Sequence, residues 1–265
     1  MGRISETFFK LEKLNKKALI AYIVAGDPSL ESTARVMELM VGHGVDIIEL
    51  GIAFSDPMAE GTSVQRGHER ALINGTSLEE VLELVKKFRK INQETPIVLM
   101  GYMNPFESMG SKVFSRKASD SGVDGALIVD MPIEESSEFT NQTKKLDIDM
   151  IRLVAPTTSE SRIEKICSGA SGYIYYISLK GITGANSINT KEVGRKVRIL
   201  KDLTKLPVVI GFGIKDRLTV SSVTDLADGI VVGSVFVDIM GLDKESIEEE
   251  LSIKIEEISE ALNET

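Results

Sequence analysis

Eight short apolar runs punctuate the chain: Leu19–Val24, Asp46–Gly51, Pro96–Gly101, Gly125–Val129, Met150–Ala155, Tyr173–Ile177, Pro207–Gly211 and Gly229–Val232. They recur roughly every thirty residues, each followed by a polar loop and then by a segment of helical periodicity. Near-continuous runs rich in Val and Ile suit parallel strands covered on both faces. The intervening segments read as amphipathic helices. Ser77-Leu-Glu-Glu80 is a capping box, and Leu78, Val81, Leu82 and Val85 continue it as one apolar stripe. Ile247, Leu251, Ile255, Ile258 and Leu262 repeat at helical spacing near the C-terminus. A further helical segment around Phe8, Phe9 and Leu11 precedes the first run and is placed to plug one end of a closed sheet. The pattern predicts an α/β fold, a (β/α)8 barrel with an extra N-terminal helix and a short helix, Val235–Met240, after the eighth strand. An open doubly wound sheet is the rival. The count of eight runs and the lack of a Gly-x-Gly-x-x-Gly turn after the first favour the barrel. No low-complexity segment or Pro/Ser linker interrupts the chain, so residues 1–265 read as one domain.

Composition narrows the partners. The 265 residues carry a formal net charge of −9, which argues against nucleic acid or an anionic membrane. A small phosphorylated substrate stays compatible, because phosphate is bound locally. One cysteine, Cys167, excludes an intrachain disulfide and fits a reducing compartment. No apolar run approaches the roughly 18 residues of a membrane span, and the N-terminal segment lacks a signal-peptide core. These features predict a cytoplasmic chain. His43 and His68 lie outside the runs with no neighbouring His or Cys, so no metal site is expected.

In a barrel, chemistry sits at the C-terminal ends of the strands and in the loops after them. Glu49 lies near the end of Asp46-Ile-Ile-Glu-Leu-Gly51. With a period of two it shares a face with Ile47 and Gly51, while Ile48 and Leu50 face the helices. Glu49 then points into the barrel near its top, where burial raises a carboxyl pKa and suits it to proton transfer; otherwise it needs an internal Lys or Arg. The segment from Ala53 to about Gly75 reads as a long loop, of the kind that forms lids, and holds Asp56 and Glu60. Asp56 also suits a turn. A second long loop, Ser178 to Ser187, holds Gly181 and Gly184, and the Gly184 N–H is free to approach an anion. Ile210-Gly-Phe-Gly-Ile214 closes the seventh run and Val232-Gly-Ser-Val235 the eighth. Barrels bind phosphate in this place, where glycines let backbone N–H groups reach oxygen and Ser234 adds a hydroxyl. Tyr102, at the end of the third run, suits either the pocket or a packing role, and Tyr175, with the parity of Tyr173 and Ile177, is a candidate to line the interior. Asp130, ahead of Pro132, suits a helix cap.

With these residues assembled, the chain resembles the family of tryptophan synthase α subunits. The motifs are "AYIVAGDPS", "IELGIAFSDPMAEG", "MGYMNP", "GALIVDMPIEES", "VAPTTSESRI", "YYISLKGITGA", "GFGI" and "GSVFV", and they run essentially end to end. The resemblance implies a lyase that cleaves indole-3-glycerol phosphate to indole and glyceraldehyde 3-phosphate without a metal or cofactor of its own. It implies that Glu49 takes the proton of the hydroxyl next to the scissile carbon and that Glu60 is the second catalytic acid. Phosphate would rest on Gly184, Gly213, Gly233 and Ser234 beside Phe212. Tyr22, Tyr102, Tyr175 and Thr183 would line the substrate pocket. The implied partner is a β subunit carrying pyridoxal phosphate in an αββα heterotetramer, with Asp56 near the contact.

The chain departs from the family pattern in the loop. Ala53 and Thr62 stand where Pro is usual, and Glu60 where Asp is usual. Tyr22 stands where Phe is also common. The longer Glu60 side chain predicts low activity alone and activation by β. Two rival functions fit the same sequence: another phosphosugar barrel, which the Phe54-Ser-Asp-Pro57 loop opposes, and a weakly active lyase kept mainly as an allosteric partner of β.

Overall fold

The computed structural model describes residues 2–177, 190–211, 213–242 and 246–264. Eight parallel strands close into a barrel in chain order, the first pairing with the last. They are β1 Ala18–Val24, β2 Ile47–Gly51, β3 Ile97–Gly101, β4 Gly125–Ile128, β5 Asp149–Val154, β6 Ile174–Ile177, β7 Val208–Gly211 and β8 Gly229–Val232. Each falls on one of the eight apolar runs.

Alternation divides the strand side chains into two layers, as the period of two requires. Ile20, Tyr22, Ile47, Val98, Leu127, Ile151, Tyr175, Val209 and Val231 fill the interior. Ile48, Leu50, Leu99, Ile174 and Ile210 pack outward against the helices. Glu49 is on the interior side, fully buried, paired in register with Tyr22 of β1 and Val98 of β3. The helix Arg3–Lys13 closes the N-terminal end: Ile4 and Phe8 join the interior cluster, and the Phe8 ring meets Tyr173 at 5.9 Å.

The N-terminal rim is held by a repeated bond. Asp46 Oδ2 accepts from Leu19 N–H, Asp124 Oδ2 from Ile97 N–H, Ser171 Oγ from Met150 N–H and Asp228 Oδ2 from Val208 N–H, each at 2.8 Å. A side chain just ahead of each even strand thereby satisfies an amide near the start of the odd strand before it. Asp124 also takes Arg89 at 2.6 Å and Arg3 of the N-terminal helix at 2.8 Å.

Two expectations need correction. The segment from Ala53 to Gly75 is not one long loop, because the helix Thr62–Ile73 occupies its second half. The buried stripe of that helix is Val64, Gly67, His68 and Ala71, which lacks the large apolar residues that signal an amphipathic helix. A Cβ on Gly67 would come 2.7 Å from Val237, so glycine there lets this helix press against Ser234–Met240. Asp130 caps across rather than locally: its Oδ1 accepts from Met103 N–H, the first residue of the helix Met103–Met109, at 2.7 Å.

Candidate active site

The C-terminal ends of the strands enclose a cavity of about 260 Å³ lined by Tyr22, Glu49, Glu60, Tyr175, Gly213, Gly233 and Ser234. Strands position the fixed groups: Tyr22 on β1, Glu49 on β2 and Tyr175 on β6. Connecting segments deliver the rest, with Gly213 after β7, Gly233 after β8, and Ser234 opening the helix Ser234–Met240.

The two carboxylates differ in how they are held. Tyr173, across the barrel, donates its hydroxyl to Glu49 Oε1, while Glu49 Oε2 is buried with no hydrogen-bond partner among the described residues. Burial raises the Glu49 pKa to about 7, against the Tyr173 bond, with a smaller push from the charge of Glu60. Glu60 is half-buried and reaches the cavity from the loop between β2 and Thr62–Ile73. Burial likewise raises its pKa to about 7, opposed by a hydrogen bond from Tyr102. Tyr102 stands outside the cavity wall and braces this loop. Its hydroxyl accepts from Ala59 N–H at 2.9 Å, and its ring stacks on Phe54 at 5.3 Å.

Two glycines leave room for tyrosine hydroxyls. A Cβ on Gly51 would come 2.3 Å from Tyr22 Oη, and one on Gly211 2.1 Å from Tyr175 Oη. In the glycine turn after β7, Gly213 has φ +79°, a conformation that favours glycine. Asp56 sits on the outer, exposed side of the loop beside Met58, which is 77% exposed. Thr183, Gly184 and Phe212 lie outside the described residues. No group of three or more His, Cys, Asp or Glu suited to a metal occurs among the described residues. No helix among them is long and apolar enough to cross a membrane.

Two residues at this site escaped the sequence reading. Tyr173 shares its parity with Tyr175, a visible signal, but its reach to Glu49 depends on barrel closure. His68 is 2% exposed and hydrogen-bonds both Tyr22 and the backbone of Phe54. Its only sequence signal is helical spacing from Val64 and Ala71.

A profile of the family described as "Tryptophan synthase alpha chain" matches residues 8–264. The tryptophan synthase alpha chain of Thiobacillus denitrificans is 50% identical over 238 residues, 90% of this chain and 87% of that protein. That of Janthinobacterium sp. is 45% identical over 265 residues, covering all of both. The crystal structure of tryptophan synthase subunit alpha from Legionella pneumophila superposes with a TM-score of 0.91 at 37% identity, over the full length of both chains. A chain of the tryptophan synthase complex from Pyrococcus furiosus gives a TM-score of 0.82 at 38% identity, covering 92% of this chain and 98% of that one.

Proposed function

The chain belongs to the tryptophan synthase alpha chain family, and from that premise we propose how its own side chains carry out the family's reaction. The subunit is a lyase of tryptophan biosynthesis that splits indole-3-glycerol phosphate into indole and glyceraldehyde 3-phosphate. Indole is a poor leaving group until its C3 is protonated to the cationic indolenine. The electron pair of the carbon–carbon bond can then return to the ring. The neighbouring carbon becomes an aldehyde as its hydroxyl loses a proton. One proton is added at C3 and one is removed from the hydroxyl, so the cleavage consumes no co-reactant.

Glu49 is the base for the hydroxyl proton. A pKa of about 7 keeps a substantial ionised fraction at neutral pH with useful basicity, and the unpartnered Oε2 is free to take the proton while Tyr173 fixes Oε1. Glu60 faces the same cavity, and its ionised form stabilises the indolenine cation. Gly213, Gly233 and Ser234 receive the phosphate through backbone N–H groups and a hydroxyl; the roles expected of Thr183, Gly184 and Phe212 fall outside the described residues. Tyr22 and Tyr175 wall the space for the indole and its side chain. The phosphate is remote from the breaking bond and supplies binding energy and orientation.

The chain's family role implies a β subunit as partner. We place the contact on the loop that exposes Asp56 and Met58, assign pyridoxal phosphate to that partner rather than to this chain, and expect an αββα assembly in the cytoplasm. The observation that carries the catalytic assignment is the meeting of two carboxyl groups, each near pKa 7, in one cavity beside two glycine turns. It also speaks against a weakly active lyase retained only as an allosteric partner. The test is indole release from indole-3-glycerol phosphate by the purified chain, alone and with its cognate β subunit. Release in both states, faster with β, is expected; no release in either rules the assignment out.

A further inference from the structure

His68 takes no part in the chemistry above, yet it is one of only two histidines in the chain and is almost wholly buried. It sits on the helix Thr62–Ile73, beneath the loop that carries Glu60. Its Nδ1 lies 3.2 Å from the backbone nitrogen of Phe54, and its Nε2 lies 3.3 Å from Tyr22 Oη. A backbone N–H can only donate, so Nδ1 accepts and carries no proton. A neutral ring then holds its single proton on Nε2 and donates it to Tyr22 Oη. Burial lowers the His68 pKa to about 4, which keeps the ring neutral at physiological pH.

This tautomer decides where the Tyr22 proton goes. With Nε2–H filling one lone pair of Oη, the hydroxyl proton turns away from His68. Tyr22 Oη stands over Gly51 at the end of β2, and its ring lies against Gly233 on the other side, where a Cβ would come 3.1 Å from Tyr22 Cδ1. The hydroxyl therefore lies near the end of the strand that carries Glu49, in a cavity it shares with Glu60. We propose that His68 is a positioning residue: its Nδ1 anchors the root of the Glu60 loop, and its Nε2–H turns the Tyr22 hydroxyl into the cavity as a fixed donor to the oxygens of the substrate's glycerol chain. The role rests on the assignment of this cavity to the lyase reaction. It couples the two halves of the site, because the same ring that holds the loop also aims the donor.

Long-range proton–nitrogen correlation spectra of the labelled chain read the tautomer directly. A protonated Nε2 with a bare Nδ1 at His68 is expected; a proton on Nδ1 overturns the proposal. Steady-state cleavage with saturating β subunit reads the consequence. Tyr22→Phe and His68→Leu should each lower kcat/KM about tenfold, the loss of one substrate hydrogen bond. The double variant should fall no further than the worse single one, because both remove the same donor. His68→Gln, whose amide can donate toward Oη, should recover much of the loss, and His68→Asn should not. Multiplicative losses in the double variant, or a Tyr22→Phe enzyme within twofold of the unmodified chain, overturn the proposal. If His68→Leu does not fold, the tautomer and Tyr22→Phe still decide. If the unmodified chain with β releases no indole, the lyase assignment falls instead, and the spectra still report on His68.

Discussion

Two acids at β2, three residues apart, are held in different ways. Asp46 lies immediately before β2 at the N-terminal rim, and Glu49 lies three residues on, inside the barrel. Burial is the largest influence on both, raising Asp46 to about pKa 6 and Glu49 to about 7. What separates them is how their oxygens are used. Asp46 spends Oδ2 on the Leu19 N–H, one of four such bonds repeated around the rim. Glu49 has one oxygen fixed by Tyr173 and the other bare. Both rims use carboxylates, but the N-terminal rim employs them to satisfy strand amides while the other leaves one oxygen unpartnered, as the proposed base requires. A raised pKa alone therefore does not distinguish scaffold from chemistry; what marks Glu49 is a bare oxygen at the wall of the cavity.

The sharpest test of that contrast is Glu49→Gln. Loss of a general base costs about 10²–10⁴-fold in turnover, and indole release should fall by that much. Stability should move the other way, with a definite sign. The folded-state pKa is above the ordinary value of 4.5, so the folded chain holds this proton more tightly than the unfolded chain. The fold therefore loses stability as pH rises from 4.5 through about 7. Gln removes that penalty. At pH 8 the variant should be more stable by up to ~3 kcal/mol, with the pH-linked advantage vanishing below pH 4.5. Urea melts at several pH values measure this, and a Gln variant less stable at pH 8 would break the comparison.

Asp124→Ala tests the opposite rim. It strips the acceptor from the Ile97 N–H and leaves the buried Arg89 guanidinium without its carboxylate. The expected cost is about 3–5 kcal/mol of stability, with kcat unchanged at temperatures where the variant stays folded. A fall in kcat with little loss of stability would place catalytic weight on the wrong rim.

Gly213→Asp and Gly233→Asp return to the C-terminal rim. Gly213 has a positive φ that strains other residues, and a side chain on Gly233 would crowd Tyr22. Each change also brings a negative charge to the proposed anion site. Glycerol phosphate should bind at least about tenfold more weakly, a loss of about 1.4 kcal/mol. Unchanged binding in both variants removes phosphate from these turns.

The same contrast explains what the sequence made legible. The strands are readable because parallel strands buried on both faces are apolar throughout, and Glu49 stands out as the acid inside such a run, with apolar residues on either side. The glycine turns followed from their place after the seventh and eighth runs. The helix Thr62–Ile73 was hidden because its buried face is built from small residues and His68. The bonds from Tyr173 to Glu49 and from Met103 to Asp130 join residues 124 and 27 positions apart. Which side chains meet across a closed sheet depends on barrel register, and no local pattern encodes it.

The smallest expected effect concerns Glu60, where sequence and structure point in opposite directions. Read from the sequence, Glu is one methylene too long for a position usually held by Asp, so Asp should improve the isolated chain. The structure supports the opposite sign. The Glu60 carboxylate already reaches the cavity beside Tyr102, which holds its pKa down and whose hydroxyl receives the N–H of Ala59 next door. Gln65 Nε2 donates to the Glu60 carbonyl at 2.9 Å, and the Glu60 N–H returns to Pro57 O at 3.1 Å, so the backbone on both sides is tied. In a loop fixed this way, shortening the side chain withdraws the carboxylate by about 1 Å from both Tyr102 and the substrate. Glu60→Asp should therefore lower kcat several-fold, up to about tenfold, both alone and with the β subunit. Tyr102→Phe should produce part of the same loss, because it releases the carboxylate without shortening it. A rise in activity of the isolated Asp variant would show instead that the loop is strained by Glu60 and that the β subunit, rather than Tyr102, sets its working position.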